Sequence, residues 1–406
     1  MLELRGELSR RGSSALEDFW RGVVAEGTPL VEPKPDDDTC LVTFLWRGEA
    51  ERIFVIGSGG FQSVKENQLL RLADTDLFHR TYRVPRSLRT TYRFLLDAPP
   101  IDQYTADAES REQLFAYLRR PDIYRRDELN PHAVEGETFF LGGRSCLVLP
   151  DAPAQPFVDE RPESPAQVET HPLESRILGN SRMVTLTHPA GLGDAVNCVV
   201  VFDGEVYTRD IPGPTILRNL ALDGIVAPTL GVFVHNVSLA TRVTELLCSD
   251  KFSDFVGQEL IPWLGRRAVV PENPQRWLVA GSSAGGVAAA QVALRLPQIF
   301  GKVLSQSGTF GSCRAHSLLS QKSDEWLTEQ YRTSTHLGLD FYVEVGEFES
   351  NPFADPLGAN RRFVEVLRQR RYRVDYDEYC GGHDYLHWRG SFATGLGALL
   401  GPGPRG

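Results

Sequence analysis

Two patterns along the chain predict an α/β domain with a mostly parallel central sheet, preceded by an all-β sandwich. In the second half, unbroken apolar runs alternate with helical stretches, as strands covered on both faces do. In the first third, short β-branched and aromatic runs recur between glycine turns, the rhythm of a sandwich. Between them the stretch from Pro150 to Pro172 is rich in Pro, Asp, Glu and Ala, a composition that favours an extended linker. At 406 residues the chain exceeds what one core normally supports. The expected division is a β domain over 1–150, a linker over 151–174 and an α/β domain over 175–406.

The elements follow in order. A short helix is expected near Ala15 to Val24. Strands are expected at Cys40–Trp46, Arg52–Ile56, His79–Val84 and Thr91–Leu96, each rich in β-branched or aromatic residues. Beyond the linker, Ser181–Leu186 reads as an edge strand. The apolar runs Cys198–Phe202, Leu230–Val234, Trp277–Ala280, Val303–Leu304 and Phe341–Val343 read as buried parallel strands, and Tyr372–Tyr376 is strand-like. Helices are expected at Thr241–Glu245, Phe255–Leu264, Val287–Leu296 and Arg361–Gln369.

Composition excludes some classes of function. Apolar content of 41% and charged content of 24% are those of an ordinary soluble globular protein. A net charge of -10 argues against nucleic-acid binding, which gains affinity from clustered Lys and Arg on phosphates. Met1–Glu7 has no apolar signal region and no later segment reaches membrane-spanning length, so no membrane partner and a cytoplasmic location are expected. The six cysteines lack metal-ligand spacing, and neither a disulfide framework nor a metal site is expected.

The chemistry centres on Val279-Ala280-Gly281-Ser282-Ser283-Ala284-Gly285-Gly286. A strand, a glycine-pinched turn and a helix place Ser283 in Gly-x-Ser-x-Gly, where a strained backbone lifts its hydroxyl out of the sheet. Ser282 does not fit, because Ala280 and Ala284 stand where glycines are required. A serine hydroxyl is inert until an imidazole accepts its proton. In an α/β hydrolase the nucleophile, acid and histidine follow in that order, each after a strand.

His383, in Tyr379-Cys380-Gly381-Gly382-His383-Asp384, follows the last strand-like run and is the best histidine. His387 is expected to pack or face solvent at the start of a terminal helix, and His235 either lines the site or packs. The acid should follow Phe341–Gly346, and Glu347, Glu349 and Asp355 are candidates that spacing leaves unseparated. Glu344 lies inside the strand, poorly placed to reach a loop histidine. An oxyanion needs preorganised backbone donors. The amide of Ala284 is one, and the loop Asp203-Gly204 offers Gly204, whose missing Cβ would let the backbone approach substrate.

These residues and several motifs resemble the enterochelin esterases, which open the trilactone of a ferric catecholate siderophore. The motifs include Phe19-Trp20, Asp127–His132, Leu178–Arg182, Arg242–Leu246, Glu259–Trp263, Ser305-Gln306-Ser307-Gly308 and Gly381–Asp384 with Trp388-Arg389-Gly390. The resemblance implies an immunoglobulin-like sandwich before an α/β-hydrolase esterase domain. It favours Glu349 as the acid and places Arg242 beside the substrate's carbonyl or catecholate. After Gly308 that family commonly has tryptophans, where this chain reads Thr309-Phe310-Gly311-Ser312-Cys313-Arg314. Phe310, Arg314 and Tyr385 are the expected substitutes at the pocket.

The expected activity is ester hydrolysis by Ser283, His383 and Glu349 through an acyl-serine. The partner is a small-molecule siderophore or another depsipeptide ester. Iron arrives only as part of that ligand, with no cofactor of the protein's own. A hydrolase or acyltransferase of another peptide natural product is the runner-up, and a non-catalytic siderophore carrier stands third.

Overall fold

The computed structural model describes the chain except residues 35–36, 60–66, 73, 98–115, 118–119, 135–142, 313–324, 351–354 and 403–406. It divides into two compact units, Met1–Pro153 and Ala154–Gly406.

The first unit is a two-sheet β domain with a helical start. Instead of one short helix there are two, Leu2–Arg11 and Ser13–Glu26, meeting at Gly12. Trp20 and Val23 of the second pack with Leu4, Leu45, Leu72 and Leu77, so the helices cover one sheet. That sheet has the order β1-β2-β5-β4, from Leu30–Pro33, Thr39–Arg47, Leu77–Pro85 and Leu70–Arg71. The other has the order β3-β6-β9-β8, from Ile53–Gly57, Arg89–Leu96, Arg144–Val148 and Ala133–Val134, with β7 (Tyr124–Arg125) pairing β6. Aromatic side chains join the two layers: Phe44 of β2 meets Tyr92 of β6 at 4.7 Å between ring centres, and Trp46 meets Phe94 at 5.3 Å. The four expected strands are β2, β3, β5 and β6. The strands that sequence did not reveal are mostly two to five residues long, too short for alternation to register.

The second unit carries an eight-stranded sheet in the order β10-β11-β13-β12-β14-β15-β16-β17. Its strands are Gln167–Ser175, Asn180–His188, Asn197–Phe202 (β12), Thr229–Val234 (β13), Trp277–Ser282, Lys302–Gln306, Asp340–Gly346 and Arg373–Tyr379. From β13 across to β17 every pairing is parallel, and β10 and β11 add an antiparallel margin. Alternate side chains of one strand face opposite layers. Cys198, Val200 and Phe202 join one core with the helices Asp250–Phe255, Ala284–Arg295 and Pro356–Gln369. Val199 and Val201 join the other with Gly213–Leu222 and the terminal helix Tyr385–Leu400. Both faces are covered, which is why these strands read as continuous apolar runs.

Three expectations need correction. Residues 151–174 are not an extended linker, since 167–174 lie in β10, and β10 rather than Ser181–Leu186 forms the margin of the sheet. The proline-rich part before it is tied down by a distant side chain: Asn219 Nδ2 donates to the carbonyls of Phe157 and Asp159 at 3.0 and 2.9 Å. Composition reports what a segment prefers alone and misses anchoring supplied by distant side chains. The stretch Phe255–Leu264 is also less regular than expected, a five-residue π-helical turn at Val256–Leu260 joining two short α-helices.

Candidate active site

Strand order turns at β12, with β13 on one side and β14 on the other, and ligands in parallel sheets bind at the strands' carboxyl ends near such a turn. Two of the sequence-predicted segments end there. Ser283 follows β14 and opens the helix Ala284–Arg295, with φ 56° and ψ -121°. A serine in that region is strained, and such strain persists only where surrounding contacts impose it. The contacts are present: its N–H donates to the carbonyl of Gln306 at 2.9 Å, and its own carbonyl accepts from Thr309 at 3.2 Å. Its side chain makes no capping bond to the helix. The turn tolerates no Cβ at Gly281, where one would lie 2.5 Å from the carbonyl carbon of Gly285.

The histidine and acid come together. Nδ1 of His383 lies 2.8 Å from Oε2 of Glu349. Glu349 is buried, whereas Glu347 is exposed and Asp355 caps the helix Pro356–Gln369 by accepting from Gly358 at 2.9 Å. The two loops are zipped by their backbones: Glu347 donates to the Tyr379 carbonyl at 3.0 Å and Phe348 to that of Gly381 at 3.0 Å. Burial pushes the Glu349 carboxyl up, but the neighbouring His383 and the donors Ser307 and Gly346 outweigh it and hold the group below its ordinary value. Asp384 caps the terminal helix by accepting from Leu386 at 2.9 Å, which fixes the chain just after the histidine.

The amide of Ala284 stands at the first position of its helix, and no acceptor for it occurs among the described residues. That is the state of a donor at a helix N-terminus. Gly204 follows Asp203, itself left-handed at φ 58°. The reason for glycine at 204 differs from the expected one. A Cβ there would lie 2.6 Å from the Phe233 carbonyl carbon and 2.7 Å from Val234 N, so packing on β13 requires it.

Two other expectations are changed. Arg242 turns its fork inward, Nε and one Nη reaching the two carboxylate oxygens of Asp203 at 2.7 and 2.8 Å. Burial opposes its charge, but Asp203 prevails and keeps the guanidinium protonated. Glu245 of the same helix pairs with Arg182 at 2.9 Å. Phe310 does not line a pocket: it is wholly buried and stacks on Phe363 with ring centres 3.9 Å apart. An isolated aromatic after a glycine turn is ambiguous in sequence, and the buried face of the amphipathic helix Pro356–Gln369 claims it. Arg314 lies outside the described residues. Tyr385 is half-buried, edge-on to Trp388 at 5.1 Å, and within electrostatic reach of Arg242.

The two other histidines pack. His387 lies flat on Tyr379 with ring centres 3.5 Å apart, and His235 meets Thr185 Oγ1 at 2.9 Å while burial lowers its pKa to about 4. Ser307, Tyr379 and Trp388 stand in sequence motifs that assign them no role, yet Ser307 and Tyr379 bond Glu349 and Trp388 bonds Ser307 behind it. Their presence in those motifs was the one signal available.

A parallel sheet with a serine elbow and a paired histidine and carboxylate beyond it defines an ester hydrolase of the α/β-hydrolase fold. Comparison with known proteins agrees. The chain belongs to the putative esterase family, whose model matches residues 175–399, and residues 41–158 match the enterochelin esterase N-terminal model. An iron(III) enterobactin esterase from Dickeya dadantii is 28% identical, the alignment covering 95% of this chain and 93% of that protein. One from Escherichia coli is 29% identical over 89% and 91% of the two chains. The crystal structure of the enterobactin esterase FES from Shigella flexneri in the presence of enterobactin superposes with a TM-score of 0.76 at 27% identity, covering 94% and 97%. The resemblance read from the motifs is borne out, and so is the fold class. Among the described residues no helix is long and apolar enough to cross a membrane.

Proposed function

We propose that Ser283, His383 and Glu349 act as a catalytic triad that hydrolyses the ester bonds of a siderophore trilactone, in its ferric catecholate form, in the cytoplasm. Ser283 Oγ attacks the ester carbonyl carbon while His383 Nε2 takes its proton. Glu349 accepts the Nδ1–H, fixing the tautomer and stabilising the imidazolium. The tetrahedral oxyanion is met by the amides of Ala284 and Gly204. When the intermediate collapses, the C–O bond to the alkoxide breaks and His383 protonates that oxygen. Water then attacks the acyl-serine with His383 as base, releasing the acid and restoring Ser283. Iron enters and leaves as part of the substrate, so the reading includes no resident cofactor. Tyr385, two residues beyond His383, is the proposed contact for the substrate's body.

The observation that carries this reading is the 2.8 Å contact between His383 and the buried Glu349, set after a strained serine elbow in the required chain order. The substrate class is supported by the relatives, which are named for iron(III) enterobactin and align along nearly the whole chain. Purified Ser283→Ala is expected to lose about 10⁴-fold or more in kcat on a ferric trilactone, measured by chromatography of the linear products. Cleavage at the parent rate would reject the triad. Faster turnover of an unrelated macrolactone than of the catecholate trilactone would reject the substrate.

A further inference from the structure

The oxygen of Glu349 that faces away from the histidine is held as firmly as the one that faces it. Oε1 accepts from Ser307 Oγ at 2.5 Å, from the Gly346 amide at 2.8 Å and from the Tyr379 hydroxyl at 3.2 Å. The indole N–H of Trp388 in turn reaches both hydroxyls, Ser307 Oγ at 3.1 Å and Tyr379 at 2.9 Å. An indole N–H only donates. Each hydroxyl therefore accepts from Trp388 and has one proton of its own to place. Ser307 places it on Glu349, and Tyr379 has Glu349, the Gly382 carbonyl at 2.9 Å and Ser307 Oγ at 3.0 Å within reach. The protons thus run away from Trp388: Ser307 donates to the acid, and Tyr379 donates to the acid, to the acid's donor Ser307 or to the loop that carries His383. A proton on Oε1 would have to displace one of these donors, so the arrangement favours Glu349 as an anion.

We propose that Ser307, Tyr379 and Trp388 are positioning residues for the hydrolysis, holding Glu349 ionised with Oε2 turned to His383. The inference rests on the triad reading above. Ser307 sits at φ 50°, a conformation that glycine adopts without strain, and retains a hydroxyl there. Tyr379 is fixed by its stack on His387, and the Trp388 ring meets His383 edge-on with centres 4.7 Å apart, so one indole touches both the acid's partners and the base. All three side chains are buried and act through Glu349 rather than on a ligand.

The test uses Ser307→Gly, whose backbone suits the left-handed position, and Tyr379→Phe, which keeps the ring. Each is expected to lower kcat about ten- to hundredfold with KM within about twofold, the effect of one hydrogen bond to a buried charge. In a Glu349→Ala background neither change should lower kcat further, because the group they serve is gone. Packing residues would instead add their full cost in that background. Parental kcat in both variants while Glu349→Ala is impaired would overturn the inference alone, as would additive losses. Parental kcat in Glu349→Ala would overturn the triad and this inference with it.

Discussion

Glu344, two residues before Gly346 in the same strand, shows what a buried carboxyl does when it is not paired with a base. It is wholly inaccessible, and it accepts from Gln306 Nε2 at 2.9 Å and Ser391 Oγ at 2.5 Å. Burial raises its pKa from 4.5 to about 7 despite those donors. The folded chain therefore keeps the proton over a range in which the unfolded chain has released it. The stabilisation is full below about 4.5 and is lost as pH rises through about 7. Glu344→Gln, which cannot titrate, should therefore gain on the parent between about pH 5 and about pH 8 in urea denaturation. An equal difference at both values would show that Glu344 does not titrate on folding. Glu349 is as deeply placed, but His383 and its donors reverse the direction of the shift. The same residue type thus serves opposite ends according to what faces it.

At the scale of elements, the elbow depends on the strand and helix behind it. Its helix is alanine-rich, with Ala288, Ala289 and Ala290 all buried, so it lies close against the sheet and holds the Ser283 turn in place. The neighbouring loop after β15 does comparable work through Phe310, which stacks on Phe363 of the helix Pro356–Gln369. Phe310→Ala should cost about 3–5 kcal/mol in stability by emptying a core site. The KM for ester substrates should stay near that of the parent, because the ring does not face a ligand. A selective rise in KM with unchanged thermal stability would return Phe310 to the pocket. The helices and strands around this loop were legible because their apolar residues repeat locally, as in Cys198–Phe202 or Val287–Leu296. Strand β10 was not, because its residues are mostly exposed and proline interrupts it. The inward turn of Arg242 was not either, because Asp203 lies 39 residues away in sequence.

For the molecule as a whole, the net charge of -10 bears on the encounter with the proposed substrate. A ferric tris-catecholate is a trianion, and like charges slow association until salt screens them over about 10 Å at 0.1 M. The kcat/KM for the ferric trilactone should therefore rise between low and physiological salt, while that for a neutral ester stays flat. Stopped-flow or initial-rate measurements across that range decide it. A fall with salt would mean that a local positive field governs capture.

The sequence by itself determined the α/β-hydrolase fold, the β domain before it, the serine elbow and the histidine loop. These rest on local facts: periodicity of apolar residues, glycine at a pinched turn, and order along the chain. Tertiary structure decided which acid meets His383, since Glu347 and Glu349 differ by two residues and by opposite sides of a loop. It also decided that Arg242 grips Asp203, that Phe310 joins the core, and that Ser307 and Tyr379 converge on one carboxylate oxygen with Trp388 donating to Ser307 behind it. Those outcomes depend on distances between segments 30 to 81 residues apart, which the sheet sets and no local pattern encodes.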